Sequence, residues 1–581
     1  MRVVRSILML LLVAVPAAVH AQIPTRRPTT QATNNSPRLL VGNPHSFSPA
    51  DSAPAVAAGD GLRTRMDKLA GGQFRVITRQ EMNDALKQFG YPADAILAPP
   101  TQRVLAQSLN SRVVVISTLG KDASGKYVVT SRLAGVNDDA GTVISGTQVA
   151  GQQLADLGSK VADGFAPAVK SWNDAKGCVE QSKTAPAKAA EAAKKALAAL
   201  PSNGLANYCM GMLALGRGSK ADTAEAMRYF GEAVKGDPLS LAAWTQLAAG
   251  YEVTGDTAKT IDALQQMLRI APTNAPLRDL VFKKLLAYGR PELAEGVAAE
   301  GLKLDPSNAD LLDLLANARI FRENYNGALD ALDQLVGLDS TRADSTFYVK
   351  YLVTATAASS PDAPRIIRAS SRALAKFPEN ASLIKQAVGA YAQVGATDSL
   401  LPALNRLIKV DSAAAVGFAL QQADTLQKQK LNQQADPYIA FVLTHGDAQA
   451  KDGAAGLKFQ RAAQLLQNPP QWQAAADSLR EVRKIMSPTS RLAPIANYYS
   501  SLALVNVIVA KDQEAEKGKS CDAAKMVESL SAEADGTLAA AAAYVAPGAS
   551  GEGNKKTYDQ LVGYVNSLKP RTASMLKVYC K

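Results

Sequence analysis

Turn-forming residues recur at a nearly constant stride through the middle of this 581-residue chain. Segments of (Leu/Ile/Phe)-x-Pro or (Leu/Val)-Asp-(Pro/Ser) character end at Pro201, Pro238, Pro272, Pro306, Ser340, Pro378 and Ser412. The intervals are 37, 34, 34, 34, 38 and 34 residues. A period of this length accommodates one helix–turn–helix hairpin per repeat. A single hairpin cannot bury its own apolar face, so stability comes from the neighbours it stacks on. Proline after the second helix stops it, because proline has no N–H to donate. The chain is alanine-rich and only 6% aromatic, which suits close-packed helices better than a β-sandwich.

Internal positions keep the same register. Trp244, Leu247, Ala248 and Tyr251 stand on a first helix, with Leu264 and Pro272 at the later apolar and turn places. The preceding repeat has Met210-Gly211, then Ala226, Phe230, Ala233 and Pro238. Ala294 and Ala328 recur at a small-residue place, and Tyr391 at the tyrosine place. These residues resemble the tetratricopeptide repeat (TPR) family, with Ala248 standing where that pattern carries glycine. The resemblance implies a mainly α fold: a TPR-like α-solenoid of antiparallel helix pairs over 178–412, preceded by a small α/β domain. Residues 413–581 read as divergent helical repeats and a C-terminal cap. Their candidate helices lie at 413–430, 432–444, 454–467, 471–486, 492–510, 521–535 and 557–569, with a low-complexity run at 539–543 and a flexible loop at 548–554.

Residues 38–172 carry a different pattern. Strands are predicted at 39–41, 74–78, 112–118, 126–133 and 142–145, the later ones antiparallel across Gly and Asp turns. Helices are predicted at 53–69, 81–89, 101–110 and 152–169. Gly90-Tyr91-Pro92 and Pro99-Pro100 read as breaks, with Thr101 as the N-cap of the helix after them. Helices alternating with strands imply a sheet covered by helices. The stretches GDGLRTRMDKLAGGQFRVITRQEM (59–82), LAQSLNSRVVVISTL (105–119) and GKYVVTSRLAGVNDDAG (125–141) resemble the small α/β domain of TolB-like and CsgG/FlgO-like bacterial envelope proteins. That resemblance implies an envelope accessory or assembly module, not a reaction.

The amino terminus reads as an export signal over 1–21. Arg2 and Arg5 precede an uncharged apolar stretch, and Val19-His20-Ala21 offers small residues for cleavage before Gln22. The apolar stretch is shorter than the ~20 residues of a spanning helix, and no later segment reads as a span. Residues 22–37 are a polar, disordered lead-in. The expected destination is the periplasm, the cell envelope or the exterior. Cys178, Cys209, Cys521 and Cys580 form an even set, as in disulfide-bonded exported proteins. Four cysteines allow three pairings. The early–early and late–late pairing is favoured, because it staples each end of the helical body. Loss of Arg2 and Arg5 with the signal lowers the net charge from +12 to +10. No dense basic run with interleaved aromatics accompanies that charge, which argues against nucleic acid.

Motifs for chemistry are sparse. The histidines are His20, His45 and His445. A Ser-His-Asp triad needs one of them, and a His-rich metal site needs more, so no catalytic, metal or cofactor residue is assigned. Gly120–Lys126 satisfies G-x4-G-K, but Tyr127 stands where a P-loop needs Ser or Thr. It reads as a hairpin turn. The expected function is therefore an exported, non-enzymatic scaffold for protein or peptide partners. The alternative is an envelope hydrolase, or a substrate-recruiting enzyme, with its site near His45 in the α/β domain. In TPR arrays the first helix of each pair lines the binding groove. Carrying those positions over from Trp244 gives Thr245, Ala249, Glu252, Asp279, Lys283, Asp310, Asp313, Asn317 and Lys385. Some family members clamp a terminal carboxylate with Lys and Asn. Asp279 and Asp313 stand where such a clamp wants Lys, so an internal or basic segment is the better guest.

Overall fold

The computed structural model describes residues 36–580. The predicted signal and nearly all of the predicted lead-in lie outside the described residues. The chain falls into two compact units, one ending at Leu304 and one beginning at Asp305.

The first unit opens with a mixed sheet. Its strands are β1 (Arg38–Val41), β2 (His45–Ser46), β3 (Arg75–Val76), β4 (Val113–Lys121), β5 (Tyr127–Gly135) and β6 (Thr142–Thr147). The order is β3-β1-β4-β5-β6, with β2 beside β4. β1 runs parallel to β3 and β4, while β4, β5 and β6 are antiparallel. The helices among them are α1 (Ser52–Ala70), α2 (Arg79–Gln88), α3 (Pro99–Ser108), α4 (Leu154–Gly164), α5 (Ala166–Lys170) and α6 (Trp172–Gln181). Strand alternation splits the core in two. Leu39, Val41, Val113 and Val115 pack with α1 and α4 residues such as Leu62, Met66, Leu157 and Val161. Leu40 and Val114 point the other way, onto Met82, Leu86 and Leu105 of α2 and α3.

Paired helices follow in the same unit: α7 (Pro186–Ala199), α8 (Gly204–Arg217) with α9 (Lys220–Gly236), α10 (Leu241–Thr254) with α11 (Thr257–Ile270), and α12 (Ala275–Ala287) with α13 (Pro291–Leu304). The second unit continues with α14 (Ala309–Phe321), α15 (Tyr325–Leu338), α16 (Ser345–Ala357), α17 (Ala363–Lys376), α18 (Ala381–Gln393) and α19 (Thr397–Val410). It ends with α20 (Ser412–Lys428), α21 (Asn432–His445), α22 (Ala448–Gln464), α23 (Trp472–Ile485), α24 (Ala493–Gly518), α25 (Cys521–Ala541) and α26 (Lys555–Tyr579).

The stride of the turns has a local cause. At Pro201, Pro238, Pro272 and Pro378 the second helix ends two residues before the proline. The pre-proline residues Leu200, Asp237, Ala271 and Phe377 have ψ of 96°, 82°, 65° and 66°, off the helical region that proline disfavours for its predecessor. Two residues after each proline stands the next N-cap: Asn203, Ser240, Asn274 and Asn380 each accept a hydrogen bond from the backbone N–H three residues on. Asn308 does the same after Pro306, and Asp344 caps α16. Ser412 departs from this pattern. Asp411 both ends α19 and caps α20, so no turn separates those helices.

Within the pairs, small residues sit where helices nearly touch. A Cβ on Gly211 would lie 2.5 Å from the Phe230 ring. Ala226, Ala233, Ala294 and Ala328 are fully buried. Cys178 is joined to Cys209 and Cys521 to Cys580, the local pairing.

Several expectations are corrected. Pro99-Pro100 opens α3 instead of breaking the chain, because the first helical turn needs no donors. Its N-cap position is Ala98, not Thr101. The single helix over 152–169 is two, α4 and α5, meeting at buried Phe165 with Pro167 in the first turn of the second. In the loop over 548–554 Gly551 donates to the Tyr544 carbonyl and Asn554 to the Tyr544 hydroxyl. One later helix, α24, is long and apolar enough to cross a membrane, with mean hydropathy 1.3 over its best window. Half of that window is buried, and Leu504, Val507 and Ile508 join a core with α23, α25 and α26.

Candidate functional site

The candidate groove residues carried over from Trp244 all stand on first helices. Thr245, Ala249 and Glu252 are on α10, Asp279 and Lys283 on α12, Asp310, Asp313 and Asn317 on α14, and Lys385 on α18. The polar ones already hold intramolecular partners. The Thr245 hydroxyl donates to the Leu241 carbonyl of its own helix at 2.8 Å. Glu252 pairs with Lys284 of α12, and Lys283 with Asp279 one turn away at 2.6 Å. In the second unit Asp310 pairs with Arg342 and Asp313 with Lys350, both at 2.5 Å. Lys350 also donates to Asn317 at 3.2 Å, and Lys385 pairs with Asp411 at 2.5 Å. Most of these pairs link one first helix to the next repeat. Exposed ion pairs contribute only about 0–1 kcal/mol each.

The first-helix face of the first unit begins at a cleft of about 420 Å³. Leu241, Ala242 and Thr245 of α10 line one side. Arg103 of α3, Arg132 of β5 and the turn residues Asp138 and Asp139 line the other. The cleft exists because Asp237, in the turn after α9, is wholly buried and gathers the sheet around itself. It accepts from Arg132 Nε at 2.9 Å and Nη2 at 2.8 Å, and from the Gly141 and Leu239 N–H groups at 2.7 and 3.2 Å. Ser240 donates to the Asp139 carbonyl at 2.7 Å, and Lys176 pairs with Asp138. Asp139 also holds the Tyr208 hydroxyl, which burial, reinforced by that carboxylate, pushes up to about 12.

Arg103 is the exception in this network. Half-buried in the wall, it has neither an ion pair nor a hydrogen bond among the described residues. Burial lowers its pKa, the neighbouring Arg132 charge lowers it further, and the Asp237 charge opposes both. No carboxylate pairs with it directly among the described residues. Sequence reasoning missed it, because nothing near Arg103 in the chain signals that β5 and α10 would close over it.

His45 lies in β2, paired with Thr118 of β4. Its Nδ1 is buried with no hydrogen-bond partner among the described residues, and its ring meets exposed Phe47 edge-on at 5.3 Å. The G-x4-G-K stretch is a β4–β5 hairpin turn in which Asp122 accepts from the backbone N–H groups of Ser124 and Lys126. Among the described residues, no group of three or more His, Cys, Asp or Glu is placed to hold a metal ion.

No family of known proteins matches the chain by sequence, and no curated protein matches it. Solved structures do. Naa15/Naa10 bound to HypK-THB matches at 15% identity over 70% of this chain, with TM-score 0.35. This chain spans 64% of that one, a little under two thirds. YrrB, described as a TPR protein with an unusual peptide-binding site, matches at 15% identity over 33% of this chain and 96% of its own, with TM-score 0.24. A tetratricopeptide repeat protein from Parabacteroides merdae ATCC 43184 matches at 12% identity over 50% and 95%, with TM-score 0.23. Stacked, capped helix pairs at a stride near 34 residues decide the fold class. The body of this chain is a TPR-like α-solenoid. This TPR-like body follows a small α/β sheet, to which Asp237 ties its first pairs.

Proposed function

We propose that this protein is an exported, non-enzymatic scaffold that holds an extended segment of a partner protein on the first-helix face of its TPR-like body. In this reading residues 38–172 are an envelope module of the TolB/CsgG/FlgO-like kind, 178–412 the repeat body, and 413–581 divergent repeats with a cap. The observation that carries the proposal is the cleft at the start of the first-helix face, where Arg103 offers an unpaired guanidinium beside Thr245. A carboxylate on the guest would complete a charge-assisted pair there. The guest would then run along α10 and α12, exchanging with the exposed Glu252–Lys284 and Asp279–Lys283 pairs. Two disulfides support export, since such bonds persist in oxidising compartments. A non-catalytic role is supported by His45, which has no hydrogen-bonded carboxylate to orient its ring.

The test is site-specific photo-cross-linking in the native cell. A benzophenone side chain at Thr245 should give discrete protein adducts, while one at Asp262 on α11 should give none. Arg103→Glu should abolish the Thr245 adducts with the thermal melt unchanged. Equal labelling from both positions, or adducts indifferent to Arg103→Glu, would overturn the reading.

A further inference from the structure

The second unit holds a second recess, on the second-helix side of its pairs. Helix α17 carries Arg365, Arg368, Arg372 and Lys376 at i, i+3, i+7 and i+11, one stripe along one face. The helix contains no acidic residue to balance them. Two of the four are spoken for. Arg365 pairs with Asp330 at 3.0 Å and Asp333 at 2.5 Å, and donates to the Tyr351 hydroxyl at 2.8 Å. Lys376 donates to the Ala343 carbonyl at 2.8 Å. Arg368 and Arg372 are exposed and hold no ion pair or hydrogen bond among the described residues.

Both free guanidinium groups border a cleft of about 390 Å³ between α15, α16 and α17. Its floor is apolar: Phe347 and Tyr348 of α16 pack edge to face at 5.4 Å, with Val336 of α15 beside them. Gly337 and Asp333, whose carboxylate is taken up by Arg365, complete the α15 wall. A Cβ on Gly337 would meet nothing within 4 Å, so a side chain at this lining position would find open space beside the cleft. Glycine inside a helix costs roughly 0.5–1 kcal/mol relative to alanine, and here its effect is to keep the recess open.

The geometry points to a docking site for an acidic segment of a partner protein, its carboxylates on Arg368 and Arg372 and a neighbouring apolar side chain on the Phe347–Tyr348 floor. Charge complementarity names the sign of the guest. Planar guanidinium groups bind carboxylates in forked, paired hydrogen bonds. The apolar floor between helices favours a peptide over a bilayer, because a recessed ring is reached by a side chain and not by a lipid surface. This site is separate from the Arg103 cleft and does not depend on it.

The experiment uses the full chain on an array of decapeptides that crosses increasing numbers of Asp and Glu with a single central Phe, Leu or Ala, alongside Lys-substituted counterparts. Acidic peptides with Phe or Leu should be retained, and their lysine counterparts should not. Arg368→Glu with Arg372→Glu should lower retention roughly tenfold or more, the scale of losing hot-spot arginines. Gly337→Leu fills the recess without a backbone clash. It should erase the preference for Phe over Ala while far-ultraviolet circular dichroism stays unchanged. The proposal fails if acidic peptides are retained no better than basic ones, or if the double charge reversal leaves retention intact. It also fails if Gly337→Leu leaves the Phe preference untouched. Arginine-dependent binding to vesicles of equimolar phosphatidylcholine and phosphatidylglycerol, or to inorganic phosphate, without peptide retention would assign the site to a different ligand and overturn it as well.

Discussion

Asp237 is the residue on which the first unit turns. It is fully buried, and its charge is matched by Arg132 from β5 and by the backbone N–H of Gly141. Removing one member of a buried pair leaves the other uncompensated, at a cost of about 3–5 kcal/mol. Asp237→Ala should lower the unfolding free energy of the first unit by that amount in urea titration. The double change Arg132→Met with Asp237→Leu, which removes both charges, should recover most of it. If the double variant is no better than the single one, the pair does not act as a unit. A smaller effect lies at Glu323, which holds φ of 58° in the turn after α14, where Gly218, Gly255, Gly289 and Gly395 stand in other turns. A left-handed non-glycine residue carries roughly 1–2 kcal/mol of strain, partly offset by the freedom glycine adds to the unfolded chain. Glu323→Gly should raise stability by about 0.5–1 kcal/mol.

At the scale of elements, what could be read in advance followed from chemistry close in the chain. Prolines such as Pro238 and Pro272 mark the hairpin ends because proline acts on its immediate neighbours. The N-caps Ser240 and Asn274, two residues on, were equally local, and a search for Pro-x-(Asn/Ser) would have found them. The packing of first helix on second helix was legible at Gly211 and Phe230 for the same reason. Gly211→Val should drive branched carbons into the Phe230 ring and cost about 1–3 kcal/mol as overpacking, read as a lower urea midpoint with an unchanged slope. Long-range pairing was not legible. The candidate groove positions Glu252, Asp313 and Lys385 stand on first helices, yet Lys284, Lys350 and Asp411, which pair with them, come from neighbouring repeats or turns. Arg103 became a candidate only once the sheet had closed against α10. The break of the 152–169 helix at Phe165 was legible but missed: Pro167 has no N–H for a helical hydrogen bond and clashes with the preceding turn, so the first helix stops just before it.

At the scale of the whole molecule, two covalent staples and a set of perturbed carboxylates set the response to conditions. The Cys178–Cys209 and Cys521–Cys580 bonds close sequence loops of 31 and 59 residues. Each restricts the unfolded chain by roughly 3–4 kcal/mol. Reduction should therefore lower the melting temperature, and Cys521→Ser should reproduce only the second unit's share. Acid acts through the carboxylates. Asp94 is held below its ordinary value by its hydrogen bond from Arg79, Asp344 by the Phe347 N–H, and Asp411 by Lys385. Burial works against the charge of Glu533, but Arg480 and Arg483 outweigh it and lower it too. These groups bind protons more readily unfolded than folded, so their stabilisation is present above pH ~4 and is lost as pH falls through their depressed folded values. Asp512 runs the other way. Burial raises its pKa despite Arg571 at 3.0 Å, and one of its carboxylate oxygens has no hydrogen-bond partner among the described residues. Its contribution is present below pH ~4 and is lost as pH rises through the raised folded value. Asp512→Asn keeps the shape without the charge, so it should stabilise the protein at pH 7 by an amount that shrinks towards zero below pH ~4. Destabilisation at pH 7 that vanishes below pH ~4 would mean that Arg571 gives the buried carboxylate more than burial takes away.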